Sequence, residues 1–599
     1  MSTPVSPREN RKGDLNVEIE CNGARLADTV SVLSVEITHA VNRIPLARIV
    51  LQDDSDTDAA ARFTVSDGAT LAPGATVKIE AGYGLARATL FEGIVIRHGM
   101  RIASFGQGRL VVECRDKAVA MTVGRKCANF IDQKDSDIIQ KLASAAGLTA
   151  TVSDTVGTHK ELVQYDVSDW DFLLARAEAN GLVVLAGAGK LTVAAPDIEK
   201  AAALRVTYGE DLNEFDGDLD ARHQLAAVTG VGWDPATQEI VEQRAEPATL
   251  NKQGDLDAAT LAKVLGLKAW RMQSPLPLDV DTLKAWTAAR QLKAGLARVR
   301  GRMRFLGSAL ALPGTLLEVV GTGKRFAGKA WLSSVTHLIA SGDWSTEAEF
   351  GLAPEPLAER QPLAAPLAAG LTAGVTGLQI GVVLKLNEDP AQQHKVQVAL
   401  PVTQAETAGV WARLASSYGS SGVGSFFIPE VGDEVLLGFL DSDPSHPVIL
   451  GSLYSSKRVP PYALTAENNT KAIVTRSKLT IEFDEDKKVI TVTTPGQQSI
   501  VLSDDAKSIT LQDQTGNKVT LSPDGIALDS PKDIAITAQG KITLDATGEI
   551  GITSKADLTH SAMNIASTAK AGFSAKGASS AELSASGQTT VKGAMVMIN

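Results

Sequence analysis

Asp441 and Asp443, two residues apart in this 599-residue chain, resemble the paired carboxylates that divide acid and base work in hydrolases. They stand beside Pro444 and Pro447, a setting in which aspartates shape turns by hydrogen bonding their own backbone. Gly321-Thr-Gly-Lys-Arg325 has the look of a phosphate loop, but the first glycine is missing at the required distance and Arg325 stands where a Ser or Thr would bind magnesium. No HExxH, GxSxG or CxxC motif occurs. Cys21, Cys114 and Cys127 are few, odd in number and widely spaced, so neither a disulfide framework nor a zinc cluster is indicated, and reducing conditions of synthesis fit best. The chain reads as a protein without a catalytic residue, cofactor or metal ligand, and its work has to be sought in its architecture.

Binding of nucleic acid is also disfavoured. The formal charge is −11 at pH 7, whereas a nucleic-acid partner is gripped by a basic surface. The one basic run, Arg298-Val-Arg-Gly-Arg-Met-Arg304, alternates with smaller or apolar residues and predicts a strand with one solvated face. Met1 to Asp14 is polar and carries no apolar core of a signal peptide, and no eighteen-residue apolar run occurs. The expectation is synthesis in the cytoplasm without a signal peptide.

The elements must therefore explain the protein. The length suggests roughly three to five domains, and aromatic residues at 5% are scarce for a protein built on one thick core. After a flexible tail over 1–14, alternating stretches such as Val77-Lys-Ile-Glu80 and Gly108-Arg-Leu-Val-Val-Glu113 predict antiparallel strands. Helices are predicted over Asp135 to Gly147 and Asp169 to Gly181, each opened by capping residues and closed on glycine, and further helices near Asp255 to Leu267 and Leu283 to Val299. The passage Leu312 to Gly323 echoes Ala72 to Gly84, both running Pro-Gly, strand, glycine turn, strand, which hints at two similar small barrels within 15–353. Residues 354–376, rich in Pro, Ala, Leu and Gly, read as a linker. The region 377–461 has short strands and dense turns that suit a five-stranded barrel.

Beyond Tyr462 the rhythm changes. Ile526, Ile534, Ile542, Ile550 and Leu558 recur every eight residues, and the first four have apolar partners two positions on, Leu528, Ile536, Leu544 and Ile552. Two buried side chains per octad cannot offset a backbone ordering cost of about 1–2 kcal/mol per residue, so the interior must come from stacking many copies. Either a one-chain solenoid or three chains wound about one axis would supply it. After Leu558 the pattern thins, with Ile565, Phe573, Leu583 and Val591 only loosely in phase.

Three passages resemble the VgrG-type spike proteins of type VI secretion and related extracellular contractile injection systems, the counterparts of the fused hub and spike of phage tails. Ser168-Asp-Trp-Asp-Phe-Leu-Leu-Ala-Arg-Ala-Glu-Ala-Asn-Gly181 is similar to the hub helix signature, with Trp170 and Phe172 as its anchors. Trp411-Ala-Arg-Leu and Phe427-Ile-Pro-Glu-Val-Gly-Asp-Glu-Val-Leu-Leu-Gly-Phe439 resemble the oligonucleotide/oligosaccharide-binding (OB) barrel, and Asp443 to Tyr454 its exit, with Trp411, Gly432, Gly451 and Tyr454 as shaping residues. The resemblance implies a mainly β homotrimer: a hub of two small β-barrels with intervening α/β elements, an OB-fold barrel, and a C-terminal triple-stranded β-helix over 462–599. It implies a structural role at the tip of a phage-tail-like particle, capping the inner tube and puncturing the target envelope.

The implied partners are the inner tube protein, baseplate subunits, effector cargo and, transiently, a target membrane. Some phage spikes hold iron at the tip through paired histidines, but the last forty residues contain only His560, so no tip metal is expected. Met595, Val596, Met597 and Ile598 would instead present apolar strand ends to a cap of the proline-alanine-alanine-arginine (PAAR) repeat family. The alternative is a receptor- or carbohydrate-binding tail fibre. Tyr418, Phe426 and Phe427 are available in the barrel, yet Arg413 is the single basic residue between Trp411 and Tyr454, which argues against nucleic acid there.

Overall fold

The computed structural model describes residues 4–53, 63–103, 108–361, 363–403 and 409–598. The chain divides into two units, Met1–Leu453 and Tyr454–Asn599.

The first unit is organised by a thirteen-stranded sheet whose two halves repeat one topology. The first half contains β1 (Leu15–Cys21), with the two-residue strand Ala24–Arg25 paired at its outer edge, β2 (Val32–Ala40), β3 (Leu46–Gln52), β4 (Thr76–Tyr83), β5 (Ala88–Ile102) and β6 (Gly108–Arg115). The second contains β7 (Leu204–Thr207), β8 (Leu212–Leu219), β9 (Val299–Leu306), β10 (Leu316–Val320), β11 (Gly328–Ala340) and β12 (Asp343–Phe350). In space the order is β1-β4-β5-β6-β3-β2 and then, equivalently, β7-β10-β11-β12-β9-β8. All pairings within the halves are antiparallel except β7 with β10, which is parallel. The halves join where β2 pairs with β11, and Thr38 and Thr336 hydroxyls meet there at 3.0 Å.

The Pro-Gly echo marks this repeat. Gly74 and Gly314 both adopt left-handed backbone, φ +95° and +79°, which a residue with a Cβ resists. Each then donates its N–H to the long strand of its own half, Gly74 to Val95 O at 2.8 Å and Gly314 to Leu332 O at 2.7 Å. The return bonds also match: Val95 donates to Ala75 O and Leu332 to Thr315 O, both at 2.9 Å. Alternating inward residues fill the cores, Ile37, Ile49, Ile79, Phe91 and Leu110 in one half and Met303, Phe305, Leu317 and Phe350 in the other. The basic run forms β9 as expected, with Val299, Met303 and Phe305 buried and Arg302 exposed. Arg298 departs from that reading: it is buried just before the strand and donates to the carbonyls of Asn251 and Gln253.

The halves differ in what they carry. Between β6 and β7 lie α1 (Asp135–Ala145) and α2 (Asp169–Ala179) with small sheets. Between β8 and β9 lie α3 (Ala258–Leu265), α4 (Val280–Leu296) and a three-stranded sheet. Ser168 caps α2 by accepting the Asp171 N–H at 3.1 Å, and Trp170, Phe172, Leu173 and Leu174 are buried, Phe172 stacked on Phe130 at 5.8 Å.

Two stretches read as loose are held. Within the expected tail, residues 1–3 lie outside the described residues, but Val5 exchanges backbone hydrogen bonds with Ala203 and Arg205, and Ser6 donates to buried Asp211. In the expected linker, Leu357 is buried in the helical core, its N–H donates to Glu178, and Gln361 donates to Asp171. Composition could not reveal this, because few side chains in either stretch are periodic; backbone groups, the Ser6 and Gln361 side chains and one leucine hold them.

The barrel is closed by β13 (Gln379–Lys385), β14 (Val396–Ala399), β15 (Val410–Leu414), β16 (Glu434–Phe439) and β17 (Pro447–Ser452), in the order β13-β14-β15-β17-β16. Val383, Val398, Ala412, Val435, Leu437 and Ile449 fill it. The protein is thus mainly β, with two barrel-like halves fused through β2 and β11, intervening α/β elements and a closed five-stranded barrel.

The second unit opens with a seven-stranded antiparallel meander: β18 (Thr470–Val474), β19 (Thr480–Asp484), β20 (Val489–Thr493), β21 (Ser499–Ser503), β22 (Ser508–Gln512), β23 (Lys518–Ser522) and β24 (Gly525–Asp529). This corrects the expectation that the β-helical octads begin soon after Tyr462. Its turns are made possible by left-handed residues every nine or ten positions, Lys478, Lys488, Gln497, Lys507, Gly516 and Gly525. Four of the six are not glycine, so the hairpins leave little trace in the sequence.

Candidate functional site

The side chains of the meander sort into two faces. Along one column, cross-strand neighbours run Ile473, Ile481, Val492, Ile500, Leu511, Val519, Leu528; along the next, Phe483, Ile490, Leu502, Ile509, Leu521, Ile526. The opposite face carries Thr480, Glu482, Thr491, Ser499, Ser508, Thr510, Lys518 and Thr520, as strand alternation requires. The result is an apolar wall two residues wide and, at about 4.8 Å per strand, roughly 29 Å long. Among the described residues little covers it: Ile473, Ile481, Phe483, Ile490, Ile500, Leu502, Ile509, Leu511 and Leu521 remain 37–46% exposed, while Val492 and Val519 are half-buried. A soluble protein rarely leaves a continuous apolar face of this extent in water, and a single sheet is stable only when that face is packed.

The wall continues in the octads. After Asp529 the described residues form no further strand, but the backbone bends at 531–532, 539–540, 547–548 and 555–556. Each bend falls two residues before Ile534, Ile542, Ile550 or Leu558. Ile534, Ile536, Ile542, Leu544, Ile550, Ile552 and Leu558 are 51–72% exposed. Here the backbone lacks a ladder within the chain as well, so both the apolar pairs and the peptide groups await partners.

The other expected residues lie as follows. Trp170 and Phe172 are buried in α2's contact with the core. Trp411 is half-buried on β15. Gly432 adopts φ +83° and donates its N–H to Val383 O at 2.8 Å, a turn that favours glycine. Gly451 pairs with Leu436 and has open space where a Cβ would stand. Tyr454, Met595, Val596, Met597 and Ile598 are exposed, as are Tyr418, Phe426 and Phe427.

The residues weighed for chemistry serve turns. Asp443 accepts from Ser445 N–H at 2.8 Å and lies 3.2 Å from His446, while Asp441 occupies a left-handed turn position. Arg325 pairs with Asp255 at 2.7 Å. Among the described residues no group of three or more His, Cys, Asp or Glu is placed to hold a metal within one chain, and no helix is long and apolar enough to cross a membrane.

The sequence reading missed one buried polar cluster. Arg176 of α2 grips Asp135 at the start of α1 through two bonds, 2.6 and 2.8 Å, and Asn180 and His159 complete the shell at 2.7 and 3.1 Å. Burial works against the Asp135 charge, but the Arg176 hydrogen bonds, those of His159 and Asn180, and the Arg176 charge outweigh it and hold the carboxyl well below the usual carboxylate range. A short side chain opening a helix signals only a cap; its partners 24 to 45 residues away do not announce themselves. This cluster locks α1 onto α2 and faces no reacting group.

Comparison with known proteins follows the same division. Residues 11–341 match the Alg8 N-terminal domain, 379–454 the type VI secretion system/phage-baseplate injector OB domain, and 489–599 the phage baseplate V C-terminal trimerisation domain. The type VI secretion system spike protein VgrG5 of Pseudomonas aeruginosa is 41% identical over 68 residues, 11% of this chain and 8% of that protein. The spike protein VgrG3 of Vibrio cholerae is 39% identical over 69 residues, 12% of this chain and 7% of that protein. These alignments therefore span under a tenth of either relative's length. An E. coli component of the type VI secretion system, described as structurally similar to the T4 tail proteins gp27 and gp5, is 12% identical, covers 73% of this chain and 99% of its own, and superposes with a TM-score of 0.37.

Proposed function

This chain belongs to the Alg8 N-terminal domain family, matched over more than half its length, and is a VgrG-type spike protein; from that premise we propose that three copies assemble into the hub and needle of a contractile injection machine. The observation that carries the reading is the uncovered apolar wall that runs from Ile473 through the octads to Leu558. Three such walls facing one axis bury it, and the match of 489–599 to a trimerisation domain supports that number.

In this reading the first unit caps the inner tube. Two topologically equivalent halves per chain become six around a trimer, the symmetry that a sixfold tube would meet. The needle transmits force along its axis and punctures the target envelope without making or breaking a bond. The inner tube protein, baseplate subunits and effector cargo are its partners, contact with the target membrane is transient, and Met595 to Ile598 seat a PAAR-like cap. The chain is made in the cytoplasm and acts after assembly into the particle.

The test is native mass spectrometry and negative-stain microscopy of the full chain. A mass of three chains with a thin projection is expected; a compact, stably folded monomer would refute the reading.

A further inference from the structure

One joint in the repeat plan is filled and its counterpart is open. Within the chain, Ser334 to Ala340 of β11 receive Ser34 to Ala40 of β2 along the edge that faces away from β12. By the order of strands, the counterparts of β11 and β2 are β5 and β8. The correspondence holds residue by residue, because the ladders slip at matching points: between Leu332 and Ser334 on β11 and between Val95 and Arg97 on β5, between Val32 and Ser34 on β2 and between Leu212 and Glu214 on β8. Arg97 thus stands where Ser334 stands, and Asp216 where Glu36 stands. Among the described residues, however, Arg97 to Ile102 pair only with β6 and Glu214 to Leu219 only with β9, so each keeps an unpaired edge of backbone groups. Burial records the difference: Ile339 is 7% exposed opposite Val35, while its counterpart Ile102 is 64% exposed. The two open edges end an eight-strand run and do not meet in one chain.

This argument rests on the trimer reading, which brings β8 of one copy round to β5 of the next. Carried over to these edges, the β2–β11 register sets Arg101 opposite Asp216, Gly99 opposite Asp218, Arg97 opposite Asp220 and Ile102 opposite Phe215. The filled joint has Leu338 opposite Glu36, Thr336 opposite Thr38 and Ser334 opposite Ala40, with no pair of opposite charges. The open one sets two arginines against three aspartates. Arg101 needs such a neighbour in particular: it lies opposite Arg109 on β6, a like-charge pairing, and among the described residues no carboxylate pairs with it. Arg97 and Asp216 keep pairs in their own chain, with Glu113 at 3.2 Å and Arg302 at 3.8 Å, and Asp220 holds Arg222 at 2.6 Å, so the new contacts extend an existing ladder. We propose that β8 of one copy pairs antiparallel with Arg97 to Ile102 of the next, and that this joint is an ionic latch in which Arg97 and Arg101 close on Asp216, Asp218 and Asp220. The occupant of each edge is a second copy of this chain. Opposite charges fix the register at which one edge accepts the other, and they make this joint sensitive to salt where the neutral one inside the chain is not.

Native mass spectrometry of the full chain is read first: a mass other than three chains sinks the trimer reading and the latch with it, whereas an intact trimer that fails the next steps sinks the latch alone. Gly99→Cys with Asp218→Cys is then oxidised on a Cys127→Ser background, which leaves only the buried Cys21 and Cys114. A Cβ at Gly99 meets ordinary contacts only, and Thr336 and Thr38, which hold the same places in the filled joint, have hydroxyls 3.0 Å apart. Disulfide-linked dimers and trimers are expected from the double variant, and not from either single variant or from Arg97→Cys with Asp216→Cys, which lie out of register. Adding Arg101→Asp is expected to cut the linked fraction roughly tenfold, adding Asp216→Arg to that variant to restore it, and about 1 M sodium chloride, where the Debye length is about 3 Å, to lower it. No linkage in an intact trimer, equal linkage at the shifted pair, or no rescue by the second charge overturns the proposal. If the cysteine variants fail to fold, hydrogen exchange on the wild-type trimer decides it: amides of 97–102 and 214–219 exchange as slowly as those of 334–340 if the latch forms, and open-edge exchange there overturns it.

Discussion

Replacing Ile542 by alanine tests the apolar wall at its most regular level. In one chain Ile542 is 51% exposed, so about half of its side chain is left for neighbouring copies to bury. Ile→Ala at a fully buried site costs about 2–5 kcal/mol, which assigns roughly 1–2.5 kcal/mol per chain to the interface. Symmetry repeats the lesion three times, giving about 3–7 kcal/mol per trimer, or roughly two to five orders of magnitude in the assembly constant. Sedimentation equilibrium over a dilution series reads that shift, and far-UV circular dichroism follows the accompanying fall in thermal midpoint. Thr543→Ala, one residue away on the opposite face, is the control and is expected to stay within about 0.5 kcal/mol. Equal effects of the two substitutions, or a larger one from Thr543, would refute the assignment of the inward face and with it the needle.

Three further expectations concern the first unit. Asp135→Asn, which leaves Arg176 without its buried carboxylate, is expected to cost about 3–5 kcal/mol in denaturant unfolding. Because the folded carboxyl titrates below its unfolded value, the ion pair's contribution is full above about pH 4 and is lost as pH falls further, so this acid limb should be missing from the variant's stability profile. His337 lies fully buried between Thr346 and Trp344, and burial, then the His39 charge, push its pKa down to about 3. The unfolded chain therefore binds a proton that the folded one refuses: stability present above about pH 6.5 should fall by roughly 1.4 kcal/mol per unit down to about 3, and His337→Leu should remove that slope. Leu357→Ala, which empties a buried site in the helical core, is expected to cost about 2–5 kcal/mol and to expose 354–376 to limited proteolysis.

What the sequence made legible was whatever repeats locally. The octads, the helix opened by Ser168 and the Pro-Gly echo each rest on side chains a few residues apart, and each has a counterpart in the fold. The echo was a weak signal that marked a strong structural fact, because Gly74 and Gly314 start the same hydrogen-bonded corner in both halves. The meander stayed hidden because its turns use Lys478, Lys488, Gln497 and Lys507 where a hairpin signal would be glycine or asparagine. The pairing of β2 with β11 stayed hidden because residues about 300 positions apart share it, and the grip of Arg176 on Asp135 because no local pattern relates them.

The two parts of the second unit constrain the assembly differently, and together they favour intertwining over simple docking. The meander satisfies its own backbone except along the outer edges of β18 and β24, so its apolar wall alone could be covered by any flat partner, a second meander about 10 Å away included. The octads cannot be served that way. Between Asp529 and Leu558 unbent segments of six residues alternate with two-residue bends, and among the described residues no segment pairs with its successor as an antiparallel ladder. Their N–H and C=O groups need strands from other chains on both sides at every level, which a closed ring of identical chains supplies and a two-sheet sandwich does not. Such a ring leaves no free edge from which to fray, so loosening one chain at Ile542 means unwinding its neighbours there too. On the proposed spike function, axial load would fall on ladders that fail together, and a blunted wall at one level should weaken the shaft far more than its buried area alone suggests.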